Sequence, residues 1–282
     1  FPVKLVELLN TSAVHNTAVQ AKLDATIGEG IRVIGDNIAN SNGETLNEIY
    51  EKAALDYLVF GGYALNPIWN RAGDKIVELY HLPFANVRSG KLDEMDKVQE
   101  YYYSSNWENV RKYTPTRYKS FSYTENKGDD ATQIFYHFNY SPGLEVYPLP
   151  AYMGAVNDIE LDSRISRFHN ANISNGMSPS LFINMPNGLP SPDEQRQLYR
   201  DLVESFSSED NAGRVFLSFS DGSEKAPQVT TVDSPNDDYY IVLEERITSR
   251  ILTAHRITSP LLVGIRDGGG LGNNADEMEV AY

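Results

Sequence analysis

The sequence contains no cysteine, which excludes disulfide frameworks, thiolate metal sites and cysteine nucleophiles. Histidine is scarce, and the five present do not follow the H-x-x-x-H or H-E-x-x-H spacing of metal sites; EF-hand spacing is absent too. No apolar run approaches the roughly 20 residues that cross a bilayer, and Phe1–Asn10 lacks the pattern of a signal peptide. We therefore expect no metal, no cofactor and no membrane partner.

Basic residues are outnumbered by acidic ones. Against 24 Lys and Arg stand 39 Asp and Glu, which gives a formal net charge of −15. A surface of this sign repels a phosphate backbone instead of releasing its counterions. The charge therefore disfavours tight binding of nucleic acid by the whole surface, whereas a passage through which DNA slides without sticking is compatible with it.

The sequence also lacks the patterns of nucleophilic catalysis. There is no G-x-S-x-G, and the spacing of the histidines implies no catalytic partner, so no catalytic residue is predicted. Two carboxylates brought together by the fold would suffice for a glycosidase, and Trp69, Trp107 and the segment EYYYSSNW (100–107) are suited to stacking on sugars. Packing within a sheet is the favoured interpretation of these aromatics, and a carbohydrate-active enzyme or lectin is the alternative.

A glycine-rich loop near the end of the chain raises a nucleotide-binding alternative. Gly270–Ala275 fits G-x-G-x-x-G/A, but a dinucleotide site needs a βαβ unit and an acidic residue about 20 positions later. A long predicted helix precedes the loop and the chain ends soon after it, so we favour a flexible loop that enters a helix. Because the chain starts at Phe and stops within that apparent helix, we expect it to be part of a longer protein.

Apolar residues at spacings of three and four predict five helices. These helices lie within residues 12–28, 43–62, 157–175, 191–206 and 237–256. The first is expected to bury Val14, Ala18, Ala21 and Ala25, and Gly28 ends it.

Capping signals support these helix boundaries. Ser191 and Glu194 form a capping box, and Gly61 ends the second helix. His255 and Arg256 end the last helix, where the helix dipole favours cations.

Strand signals occupy the middle of the chain. Two extended runs flank the turn 70–74 and predict a β-hairpin. Aromatic runs at 117–124 and 132–140 predict an antiparallel pair, and shorter extended stretches follow at 179–190 and 214–219. Together with the helices, these strands indicate an α+β fold.

Three stretches resemble the portal proteins of tailed double-stranded DNA bacteriophages, the siphovirus-like portal family. The first runs from LVFGGYALNPIW to LPFANVR (58–88), where a helix ends at glycine and a hairpin returns. The second runs from FHNANISNGMSPS to NAGRVFLSF (168–219), and the third combines ILTAHRITSPLLVGI (251–265) with GLGNNADE (270–277).

The resemblance implies a portal-like α+β fold: helices and an antiparallel sheet in a wing region, two stem helices and a short clip crossing. The implied parts are a wing at 1–150, a stem region at 151–212 with helices 157–175 and 191–206, a clip crossing at 176–190, and a return to the wing at 213–282. The clip candidates are Ser180, Leu181, Phe182, Ile183 and Asn184.

The resemblance also implies a function. Portal proteins form a non-enzymatic ring, usually of twelve copies, at one capsid vertex of the virion, and they assemble in the cytoplasm of the bacterial host. Double-stranded DNA passes through the ring without specific contacts, and the major capsid protein, the terminase large subunit and a head-completion (adaptor) protein are the implied partners. We expect Glu160, Asp162, Asp201 and Glu204 to face the channel or a neighbouring subunit.

Overall fold

A computed structural model describes residues 1–33, 37–122, 132–174, 180–185, 190–206, 215–219, 228–232 and 237–263. Six α-helices and nine β-strands lie in these ranges, so the fold is α+β as predicted. The chain forms two compact units. Unit 1 comprises Phe1–Glu160 and the segment from Ser249 onward, and unit 2 comprises Leu161–Thr248.

Three helices open unit 1. They are α1 (Pro2–Thr11), α2 (Ala13–Ile27) and α3 (Leu46–Phe60). Helix α1 was not predicted from the sequence. It has ten residues, and its N-cap residue makes no side-chain hydrogen bond that a sequence signal would reveal. A helix of this length depends on tertiary packing, which Leu5 and Leu8 provide because both are buried.

The buried face of α2 differs from the predicted stripe. Of the four predicted residues only Ala18 is fully buried, and His15, Val19 and Leu23 accompany it. The predicted stripe consisted mainly of alanines, which have too little apolar surface to orient a helix. The larger side chains on a neighbouring stripe determine its rotation instead.

Helix α3 has a capping motif at each end. Thr45 accepts a hydrogen bond from the backbone N–H of Glu48, whose carboxylate accepts one from the N–H of Thr45. Gly61 ends the helix in the left-handed conformation, with φ 84°. The predicted glycine stop is therefore confirmed.

Replacing Thr45 by alanine is expected to lower the free energy of unfolding of unit 1 by about 1 kcal/mol, because a backbone N–H at the start of α3 loses its acceptor. Urea denaturation measures the change. Thr26→Ala is the matched control, since the Thr26 hydroxyl only bonds the carbonyl four residues earlier within α2. Equal losses in the two variants would contradict a capping role.

A six-stranded sheet follows these helices in unit 1, in the order β2-β1-β6-β5-β4-β3. Its strands are β1 (Gly62–Trp69), β2 (Ile76–Leu82), β3 (Val87–Ser89), β4 (Glu100–Tyr103), β5 (Thr116–Ser120) and β6 (Gln133–Phe138). Strands β1 and β2 are antiparallel, with Ala64 opposite Leu82, and confirm the predicted hairpin.

The sheet is mixed, because β5 and β6 pair in parallel, with Lys119 opposite Gln133. The expected antiparallel pairing of 117–124 with 132–140 is therefore wrong. Residues 121–132 separate the two strands, and about a dozen residues is the length at which a parallel crossover becomes possible. Alternation along a strand does not report direction, since both pairings place every second side chain on one face.

Unit 2 contains a small sheet that lies in the chain between two long helices. Helix α4 (Val156–Ser174) begins in unit 1 and continues into unit 2, and α6 (Asp237–Ala254) leads back to unit 1. Between them lie β7 (Ser180–Met185), α5 (Pro192–Phe206), β8 (Val215–Phe219) and β9 (Gln228–Val232). Strand β7 is central, parallel to β8 and antiparallel to β9.

The capping box predicted for α5 is present. The Glu194 carboxylate accepts the N–H of Ser191 at 2.8 Å, and the Ser191 hydroxyl accepts the N–H of Glu194 at 3.5 Å.

The two compact units divide the chain differently from the predicted wing, stem and return, which stay a prediction. The predicted boundary at 212 falls inside unit 2.

Candidate functional site

Three of the four predicted channel carboxylates have described side chains, and none of them is buried. Glu160 and Asp162 are half-buried on α4, and Glu160 lies 3.6 Å from the Lys4 ammonium of α1. Asp201 is exposed on α5, and the Glu204 side chain lies outside the described residues. That these carboxylates face a channel or a neighbouring subunit stays a prediction.

The predicted clip residues Ser180–Asn184 form most of β7. They are extended as expected, but they are the middle of a three-stranded sheet and not an isolated crossing. Ile183 is buried, as its place in the central strand requires. The side chains of Ser180, Leu181 and Phe182 lie outside the described part.

The tryptophans proposed for sugar stacking are used in internal packing. Trp69 is 8% exposed, stacks on Phe121 and donates its indole N–H to Gln133. Trp107 donates to the carbonyl of Asn86 at 2.9 Å, and the Arg88 guanidinium covers its ring. These contacts support the sheet-packing interpretation and leave no observation that favours a lectin.

The glycine loop 270–275 lies outside the described residues. The segment that leads towards it, Pro260–Val263, is a 3-10 turn and not a β-strand. A dinucleotide-binding turn follows a strand, and the described residues 260–263 do not form one.

Within the described ranges no three His, Cys, Asp or Glu side chains are grouped so that they could hold a metal ion. No described helix combines the length and apolar character needed to span a bilayer.

Two histidines far apart in the sequence meet in the core of unit 1. Nδ1 of His15 on α2 lies 2.9 Å from Nε2 of His255, and both side chains are buried. Tyr152 packs against both rings and donates its hydroxyl hydrogen to the carbonyl of Val59. The cluster therefore joins α2, the end of α3, the segment before α4 and the segment after α6.

Burial makes both imidazoles neutral at ordinary pH. Desolvation lowers the pKa of His15 to about 4. Desolvation, His15 and the Lys22 ammonium lower the pKa of His255 to about 3. Nε2 of His15 has no hydrogen-bond partner among the described residues, so Nδ1–H of His15 donating to His255 is the arrangement that avoids a buried unpaired N–H.

The expectation that His255 serves as a cation at a helix end is therefore wrong. α6 ends at Ala254, and His255 turns into the core instead of interacting with the helix dipole. Sequence spacing could not have found the pair, since 240 positions separate its members. The sequence did contain one indication that His15 is buried: it lies on the same face of the alanine-rich helix α2 as the larger apolar residues Val19 and Leu23.

A second, partly buried contact ties α3 to the sheet. Nε2 of His81, near the end of β2, lies 2.7 Å from the Asp56 carboxylate, which also accepts the backbone N–H of Phe84 at 2.9 Å. Both contacts of this carboxylate orient the chain between β2 and β3. The pair therefore has a positioning role in the fold.

Comparison with known families identifies the type of protein. The model of the phage portal protein family matches residues 39–282. The chain belongs to this family. Membership gives it a structural role as a bacteriophage portal, or connector, protein, and no curated protein matches the chain.

Solved structures share the portal fold over nearly the whole chain. A chain in the neck of an empty gene transfer agent (GTA) particle computed with C6 symmetry is 18% identical, with a TM-score of 0.60, covering 96% of this chain and 74% of that one. An HK97 family phage portal protein from Corynebacterium diphtheriae is 12% identical, with a TM-score of 0.59, covering 98% and 83%. A chain in the neck of a native GTA particle computed with C12 symmetry is 19% identical, with a TM-score of 0.58, covering 99% and 74%.

The portal protein family is structural, and the role of a structural protein depends on its surfaces. A structural ring subunit needs surfaces that fit its neighbours, and these depend on shape, exposed apolar side chains and charge. The candidate site of this protein is therefore a surface.

Proposed function

We propose that this chain assembles into a closed ring of twelve copies at one vertex of a phage capsid, as part of the virion. The ring is a conduit through which double-stranded DNA is packaged and ejected, and it has no enzymatic activity. The family match over 39–282 is the observation that carries this proposal. The fold shared with a neck protein from a particle computed with C12 symmetry adds support.

The acidic composition fits a conduit. A net charge of −15 keeps the ring from trapping the phosphate backbone, so that DNA slides instead of binding. Glu160 and Asp162 on α4, with Asp201 and Glu204 on α5, are the carboxylates we assign to the channel or to the neighbouring subunit.

We assign the clip to all of unit 2 between α4 and α6. β7 exchanges backbone hydrogen bonds with both β8 and β9, so it cannot act as a separate crossing. The helices that lead into and out of this sheet, α4 and α6, are then the stem pair, and α5 belongs to the clip.

The terminase large subunit, the head-completion protein and the major capsid protein dock on the assembled ring, which forms in the bacterial cytoplasm.

Electron microscopy of the complete purified protein is expected to show end-on rings with twelve-fold symmetry and a central hole. A higher-resolution reconstruction of those rings would also locate the four carboxylates. Monomers that never assemble, even when concentrated, would contradict the ring. Hydrolysis or binding of glycans by such monomers would restore the carbohydrate alternative.

A further inference from the structure

An apolar pocket of about 350 Å³ opens on unit 1 between the start of α1, the end of α3, the sheet and the segment before α4. We call it the tyrosine pocket. Its lining includes Phe60, Phe84, Arg88, Tyr136, Tyr147 and Pro148. This volume lies near the lower end of the range for pockets that bury a ligand, so it fits a single projecting side chain with its flanking backbone.

The pocket contains two polar groups that have not used their hydrogen-bonding capacity. The Tyr136 hydroxyl is buried and has no hydrogen-bond partner among the described residues. Burial raises its pKa, so the hydroxyl keeps its proton and is a donor without an acceptor. The Arg88 guanidinium donates to the carbonyls of Ala85 and Val87 and lies over Trp107, and none of these described contacts is a carboxylate. The pocket therefore suits an apolar group that brings an acceptor or a negative charge.

A projecting turn on the same unit has these properties. The methionine turn, residues 92–98, links β3 to β4 and exposes Met95 to 76%. Glu94 and Asp96 flank the methionine and are exposed as well. Thioether sulfur packs favourably against aromatic rings, and the two carboxylates complement Arg88 and the Tyr136 hydroxyl.

The methionine turn is held in one conformation. The Asp93 carboxylate accepts hydrogen bonds from the Gln99 side chain and from the backbone N–H groups of Lys97 and Met95, and these bonds lower its pKa. Asp96 is held in the left-handed region at φ 58°. An ordered turn loses little backbone entropy when it inserts into a partner.

The turn is not part of the lining of the pocket in its own chain. Val87, the first residue of β3, lines the pocket, and Leu92 pairs with Val98 at the far end of the hairpin. Pocket and turn thus lie at opposite ends of one hairpin in one compact unit.

We propose that the methionine turn of each copy inserts into the tyrosine pocket of the neighbouring copy. The inference rests on the proposed ring. Any closed ring built by rotation other than a two-fold joins two different surfaces of the chain, so each subunit must present two surfaces that complement each other. The apolar centre and acidic flanks of the turn match the aromatic lining and the basic and phenolic groups of the pocket.

Cysteine cross-linking tests the contact, because the chain has no cysteine of its own. In the complete protein, Met95→Cys combined with Tyr147→Cys at the pocket is expected to give, on oxidation, a ladder of dimers, trimers and larger species up to the closed ring. Mixing the two single variants is expected to give dimers only. The matched control pairs Met95→Cys with Tyr140→Cys, a residue that is 83% exposed and outside the pocket lining.

The outcomes separate the contact from the ring. Rings without a ladder overturn the contact and leave the ring standing, and a double variant that stops at dimers shows a two-fold contact and overturns it too. If the wild-type protein forms no rings, the proposed function is overturned, and this inference is overturned with it.

A second variant needs no change in the pocket. Met95→Asp is expected to raise at least tenfold the protein concentration at which half of the chains are in rings, whereas Met95→Leu keeps assembly near the wild-type level. Mass photometry over a dilution series measures both. An unchanged concentration for Met95→Asp overturns the proposal.

Discussion

Lowering the pH from 7 to 5 is expected to reduce the free energy of unfolding of unit 1 by roughly 2–4 kcal/mol. The cause is the His15–His255 cluster in its core. Most carboxylates remain ionised at pH 5, so this window isolates the histidines. A loss of this size is a large fraction of the roughly 5–15 kcal/mol that stabilises a typical domain.

The sign follows from the direction of the pKa shifts. An unfolded histidine titrates near 6.5, whereas desolvation lowers the pKa of His15 to about 4 and that of His255 to about 3. Below pH 6.5 the unfolded chain therefore binds more protons than the folded chain. The stabilisation is complete above pH 6.5 and is lost as the pH falls towards the folded pKa values. The lower figure corresponds to one histidine that stays neutral, and the upper figure to both.

The surroundings of the pair do not offset a positive charge. The Lys22 ammonium of α2 acts on His255, and Arg256 acts on Lys22, whose own pKa is lowered by burial. Tyr152 offers an aromatic face, and its hydroxyl is already bonded to Val59. A proton taken up by either imidazole would add a cation to a region that already contains two.

Urea denaturation from pH 7.5 to 5 measures this dependence. The variant His15→Asn with His255→Gln places an amide near each bonding nitrogen and removes both titrations. It is expected to be less stable at pH 7 and to show a flatter slope of unfolding free energy against pH. His169→Gln is the control, because His169 is half-buried, lies outside this cluster and pairs with Glu244. A double variant with the wild-type slope would show that other groups cause the acid sensitivity.

The sequence predicted correctly those helix ends and turns that are determined by residues close together in the chain. The Ser191–Glu194 capping box, the Gly61 stop and the β1–β2 hairpin each arise from groups a few positions apart. The parallel pairing of β5 with β6 depends on a crossover that strand alternation does not encode. Helix α1 was missed because its stability comes from packing on other helices.

The candidate surface was less accessible to sequence reasoning. The acidic composition and the family resemblance indicated a conduit, and the four carboxylates were placed on helices as predicted. The tyrosine pocket, however, combines residues from α3, β3, β6 and the segment before α4, which only the fold brings together. Met95 was not singled out either, because an isolated methionine within an acidic stretch is typical of a solvated turn.

Gly61→Ala is expected to lower the free energy of unfolding by roughly 2–5 kcal/mol and to prevent ring assembly. Gly61 has φ 84°, which costs an alanine about 1–2 kcal/mol wherever it occurs. An added Cβ would also lie 2.7 Å from the backbone oxygen of Leu149, so the backbone itself must move. Leu149 follows Pro148, which lines the tyrosine pocket, and Phe60 precedes Gly61.

Gly43→Ala separates the two contributions. Gly43 has nearly the same φ, 80°, but an added Cβ meets no atom within 4 Å. Its cost is therefore the backbone strain alone, about 1–2 kcal/mol, with the tyrosine pocket unchanged. We expect Gly43→Ala to form rings at concentrations where Gly61→Ala does not, as measured by mass photometry alongside urea denaturation. Equal losses of stability and equal assembly in the two variants would contradict this prediction. The close approach of Leu149 to Gly61 would then have no effect on the tyrosine pocket or on the ring.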